Sequence, residues 1–114
     1  MKQVQLAGVI NKIQRLTQED KETQVYAITV GVKNEYPNKE GEHKGKYGRQ
    51  FFEVKHFANS EKAQKFVEET LAKVEREKTP VAVRGELRNN NYTNADGEKQ
   101  YRVDIVAQDI IPFL

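Results

Sequence analysis

Two phenylalanines, Phe51 and Phe57, stand at the ends of the run FFEVKHF. In an extended chain successive side chains point to opposite faces. Phe51, Glu53, Lys55 and Phe57 then share one face, and Phe52, Val54 and His56 share the other. Only one face can carry a core, and the set with Val54 suits burial. That leaves two rings and a lysine in water. Farther on, Arg84, Glu86 and Arg88 line the polar side of VAVRGELRNNNY, and Tyr92 stands close to a turn. Aromatic rings beside basic side chains can stack planar bases and hold phosphates. The rival use of such rings is a contact with another protein surface.

Other chemistries find little support. His43 and His56 are far apart and carry no Cys or carboxylate pattern, so no metal site is expected. Ser60 is the only serine and reads as a helix cap. There is no phosphate-binding Gly-Lys motif, and no acid–base pair stands out, so an enzyme is the weakest class. Asp96-Gly97 does not make a calcium loop, because Tyr92 falls at the first ligand position. No cofactor is expected.

The elements that position these residues can be read from periodicity. Val4, Leu6 and Gly8 alternate with polar or small neighbours, giving a first strand that runs toward Ile13. Thr17 to Thr23 reads as a loop. Tyr26, Ile28, Val30 and Val32 alternate in a second strand. The segment 34–48, NEYPNKEGEHKGKYG, is rich in Gly and charge and reads as a long loop or hairpin arm. The Phe51–Phe57 strand follows. Asn59 or Ser60 can cap a helix whose apolar stripe is Ala63, Phe66, Val67, Leu71 and Val74. Thr79-Pro80 ends it. Val81, Val83 and Leu87 then face inward on a fourth strand, where Gly85 marks a bulge or barrel corner. Asn94 to Gly97 makes a tight turn. Tyr101, Val103, Ile105 and Ala107 alternate on the return strand, which continues through Ile110.

At 114 residues the chain is one domain, with 37% hydrophobic and 32% charged residues. The absence of cysteine rules out disulfides and thiolate metal sites and fits a reducing cytoplasm. No apolar run is long enough to span a membrane, and the opening does not look like a secretion leader. A net charge of +2 decides nothing by itself. Its distribution says more: Lys2, Lys12 and Arg15 precede any acid, and Lys44, Lys46 and Arg49 cluster with none among them. The helical segment 61–78 is neutral.

Five short strands with one helix between the third and fourth is the order of an OB-fold: an all-β, five-stranded Greek-key barrel. Over nearly its whole length the chain resembles the bacterial and phage single-stranded DNA-binding proteins. VAVRGELRNNNYTNADGEKQYRVDIVAQDIIPFL carries the likeness best, supported by VQLAG and YAITVGV. The resemblance implies a domain over residues 1–114 that binds single-stranded DNA without sequence preference and protects it in replication, recombination, repair or phage and plasmid DNA processing. It also implies a homo-oligomer, usually a tetramer. Carried over by motif, the stacking positions are Tyr36, Phe51, Phe57 and Tyr92. The phosphate candidates are Lys33, Arg49, Lys55, Arg84 and Arg88. Two departures stand out. The chain has no Trp where the family often does, and Glu53 and Asn89–Asn91 replace common basic positions. The family's flexible acidic tail is not expected here; DIIPFL resembles its tip but reads as the closing strand. RNA stays open as a ligand, and an OB-fold protein-interaction module of a primosome or replisome is the second reading.

Overall fold

The computed structural model describes residues 3–113; Lys2 of the basic opening and Leu114 of the closing motif lie outside them. β1 (Gln3–Arg15), β2 (Gln24–Lys33) and β3 (Arg49–Ala58) form an antiparallel meander. One continuous helix follows in three pieces: α1 (Glu61–Lys65), a π-helical segment (Phe66–Leu71) and α2 (Ala72–Glu77). Then come β4 (Pro80–Asn89), the short strands β5 (Tyr92–Thr93) and β6 (Lys99–Gln100), and β7 (Val103–Pro112). The strands β1-β2-β3-β7-β4 close into a barrel. Only β3 and β7 run parallel, over Val54–His56 against Ile105–Ala107. This is the expected OB-fold, with its helix between the third and fourth barrel strands.

Period-two patterning places the core. Tyr26, Ile28 and Val30 of β2, Val54 of β3, and Val81 and Val83 of β4 are buried together with Val67, Leu71 and Val74 of the helix. Ala63 and Phe66 of the expected stripe are only partly buried against them. Of the two candidate caps the fold uses Ser60, whose Oγ accepts from the Ala63 amide at 3.1 Å. Lys78 ends the helix in the left-handed region at φ 55°. The Tyr26 hydroxyl donates to Glu68 at 3.1 Å, and Arg15 lies 3.7 Å from the same carboxylate. Burial, together with the hydrogen bond and negative charge of Glu68, pushes the Tyr26 phenol above its ordinary pKa.

Two bulges bend the barrel. Ile10 pairs with Val30 and Lys12 with Thr29, which leaves Asn11 as the extra residue. Arg84 pairs with Asp109 and Gly85 with Ala107, which leaves Gln108 unpaired. The bulge expected at Gly85 thus has its extra residue across the ladder, in β7. Each insertion switches which parity faces inward, so the inward series jumps from Ile10 to Ile13 and from Ala107 to Ile110.

The C-terminal hairpin differs from expectation. The β4–β7 ladder stops at Asn89↔Val103, and a separate two-stranded ribbon pairs Tyr92 with Gln100 and Thr93 with Lys99. Asn90 and Asn91 stand at the break, and Asn is a poor strand residue. Tyr92 therefore belongs to the ribbon rather than the fourth barrel strand, and Tyr101 to no strand. Leu87 and Val103 keep inward parity but reach the rim, where they are 37% and 63% exposed. The ribbon turn itself is as expected: Asn94 Oδ1 accepts from the Asp96 and Glu98 amides, and Gly97 takes φ 81°.

Candidate nucleic-acid interface

The outer face of β2 and β3 gathers most of the candidates. Residues directly opposite in an antiparallel pair share a face. Gly31 lies opposite Phe51, Lys33 opposite Arg49, Ala27 opposite Lys55, and Val25 opposite Phe57. The parity expected for β3 holds. Val54 is buried, Phe52 is half-buried, and Phe51 and Phe57 are 59% and 41% exposed. His56 faces inward with Nδ1 3.1 Å from the Ala107 carbonyl oxygen. Gly31 has no side chain to lift the Phe51 ring: a Cβ there would sit 3.1 Å from ring Cε1 and 3.7 Å from Arg49 Cδ. Ring and arginine stem thus flank one bare stretch of backbone.

The segment after β2 is an ordered arm. Asn34 N donates to Gly48 O, Asn38 N to Lys46 O and Gly45 N to Asn38 O, each at 2.9 Å. Tyr36 stands at its base, 74% exposed. It borders a groove of about 490 Å³ lined by polar Lys33, Asn34 and Gln50 and by apolar Leu6, Val32 and Phe52. Tyr47, on the returning limb, is an exposed ring beside these candidates that the sequence reading did not single out. Lys33 Nζ lies 4.5 Å from its ring centroid, within cation–π range. Its proximity to Lys46 and Arg49 in the basic cluster was the available signal.

The five cations divide by partner. Lys33 and Arg49 have no carboxylate partner among the described residues. Lys55 Nζ donates to Asp104 Oδ2 at 2.8 Å, and Asn90 Nδ2 donates to the same oxygen at 2.9 Å. The hydrogen bond from Lys55 holds the Asp104 carboxyl below the usual carboxylate range, against the opposing effect of burial. Arg88 Nε lies 2.5 Å from Glu86, and Arg84 is paired with Asp109. Arg88 still borders a groove with Phe57, Asn59 and Gln108. Arg84 does not reach the β2–β3 face: it lines a different groove with Gln5, Ala7 and Ile111 on β1, β4 and β7. Tyr92 stays with the ribbon, beside exposed Tyr101, with the Arg102 guanidinium 6.0 Å from its ring centroid. Among the described residues no three His, Asp or Glu side chains are grouped to hold a metal ion, and no helix is long and apolar enough to cross a membrane.

The model of the single-strand binding protein family matches residues 1–113. The chain belongs to the single-strand binding protein family. Its function is single-stranded DNA binding, and its partner is that DNA. Among solved structures the chain is similar to a Plasmodium falciparum SSB in complex with ssDNA, with a TM-score of 0.63 and 11% identity. The match covers 99% of this chain and 95% of the other. At that identity the likeness establishes the shared fold. No curated protein matches the chain in sequence.

Proposed function

We propose that this family member binds single-stranded DNA without sequence preference, stacking bases on Phe51 and Phe57 and holding phosphates with Lys33 and Arg49. One observation carries the reading: two exposed rings on a single strand face, the first beside a pair of cations that no carboxylate among the described residues occupies. Tyr47 extends the same surface onto the arm, Tyr36 adds a ring at the neighbouring groove beside Lys33, and Tyr92 with Tyr101 offers a further platform on the ribbon. Stacking tolerates any base because each has a π-face. In this reading the protein coats exposed strands in replication, recombination or phage and plasmid DNA processing, is not an enzyme, and works in the cytoplasm. A homo-oligomer, a tetramer by family habit, is supported by an apolar row on the far face, where Ala7 lies opposite Ala82 and Ala82 opposite Ile111.

Titration of a dT oligonucleotide, a duplex of the same length and an rU oligonucleotide, each at two salt concentrations, tests this. The expected result is preference for the single strand over the duplex. Two phosphate contacts give a log–log salt slope of about −1.4, at about −0.7 each. Equal affinity for duplex would remove the reading, and a flat salt response would remove Lys33 and Arg49 as phosphate ligands. Tighter binding to rU would make RNA the ligand.

A further inference from the structure

Lys55 occupies the middle of the proposed binding face yet is engaged by a carboxylate. It stands between Glu53 and Phe57 on the outer side of β3. Phe51 and Phe57 are separated by about 20 Å at about 3.3 Å per residue, so a strand stacked on both rings crosses over Lys55. Its ammonium donates at 2.8 Å to Asp104, which lies 49 positions away in sequence on β7. The side chains of the pair are only 25% and 15% exposed. A pair shielded to that degree is less screened than a surface ion pair. Asn90 fixes the carboxylate from the other side at 2.9 Å. The carboxylate offsets the ammonium's charge and holds it toward β7, so it attracts a phosphate less.

We propose that Asp104 limits the affinity of this protein for single-stranded DNA by occupying Lys55, so that the lysine makes no phosphate contact while the carboxylate is present. The proposal rests on the function proposed above and assigns to Asp104 an opposing role on the same face. Arg88 with Glu86 and Arg84 with Asp109 show the same masking of a cation. Only Lys55 lies between the two exposed phenylalanines.

Asp104→Asn preserves shape and removes the charge. The expected result is tighter dT binding with a salt slope steeper by about 0.7, one added single-strand contact. The gain over the unmodified protein then grows by about 2.6-fold between 200 mM and 50 mM salt, four raised to the power of about 0.7. Adding Lys55→Gln to Asp104→Asn is expected to restore the original slope. Asp109→Asn adds the same charge and frees Arg84 on the far face, and is expected to leave the slope unchanged. An equal gain from Asp109→Asn would reduce the effect to net charge and overturn the proposal. So would an unchanged or weaker affinity in folded Asp104→Asn. Asp104→Ser serves if the Asn variant does not fold, as judged by circular dichroism; failure of both to fold makes the ion pair a structural one and also overturns it. Absence of single-strand preference in the unmodified protein defeats the underlying reading instead, so the two failures are distinguishable.

Discussion

Gly85→Ala is expected to lower the melting temperature by on the order of 12 °C or more. A Cβ at this position would lie 2.2 Å from the Val106 carbonyl oxygen, 2.9 Å from its carbon and 3.1 Å from Ala107 Cα. All three are backbone atoms, so no rotamer change relieves the overlap. The β4–β7 ladder has to part beside its own bulge, next to buried Val83 and Ala107. Overpacking in a core costs about 1–3 kcal/mol, occasionally more; overlap with backbone puts this case at about 3 kcal/mol or above. For a domain of this size each kcal/mol moves the midpoint by about 4 °C. Gly97→Ala supplies the contrast. Nothing lies within 4 Å of a Cβ there, but φ is +81°. Only the left-handed penalty of about 1–2 kcal/mol applies, so a fall of about 4–8 °C is expected. Thermal melts of the two variants check the order. If Gly85→Ala melts as high as Gly97→Ala, the two strands are not as close as described.

Removing both outer rings, Phe51→Ala with Phe57→Ala, is expected to cost about 2–6 kcal/mol of single-strand binding while the protein stays folded. Each stacked base contributes about 1–3 kcal/mol. The rings are about 20 Å apart, beyond the range at which substitutions usually couple, so their effects should add. Both are substantially exposed, at 59% and 41%. Each truncation should therefore cost well under the ~3–5 kcal/mol of a buried Phe. Phe52→Ala reverses the pattern: its ring is half-buried, facing inward with Leu6 and Val32, so it should lower the melting temperature more than the affinity. Oligonucleotide titration, thermal melting and sedimentation of the three proteins provide the measurements. Binding left intact by the double variant would place the DNA elsewhere. Dissociation of an oligomer with unchanged monomer affinity would make the rings a subunit contact and favour the protein-interaction reading.

The sequence shows most clearly where a strand is regular. Tyr26, Ile28 and Val30 alternate without interruption, and β3 obeys the same rule, so inward and outward faces follow from parity. Bulges defeat that rule locally. Asn11 and Gln108 carry no mark of being extra residues, and they become visible only once the partner strands are aligned. Leu87 and Val103 fit the inward pattern, yet parity says nothing about how far a core extends toward a barrel rim. The helix stripe at Val67, Leu71 and Val74 suits an ordinary α-helix, and the π-helical segment has no sequence cue that we can identify. At the site, the rings of β3 were legible because burial forces them outward. The state of each cation was not. Asp104 reaches Lys55 only because β7 returns beside β3, and Lys33 meets Tyr47 only because the arm folds back.

The short parallel seam between β3 and β7 has a consequence for solubility. β3 runs from Arg49 to Ala58, but β7 pairs only with Val54–His56. Residues 49–53 thus have a strand neighbour on the β2 side alone. An unpaired stretch of backbone in extended form is a template for another chain, and natural sheets guard such edges with charge. Here Arg49 and Glu53 stand at the two ends of the open stretch. The hydrophobic Phe51 between them turns its ring over Gly31 instead of leaving a flat apolar edge. Neutralising Arg49 or Glu53 therefore removes a barrier to strand-to-strand aggregation as well as altering the charge of the proposed binding face.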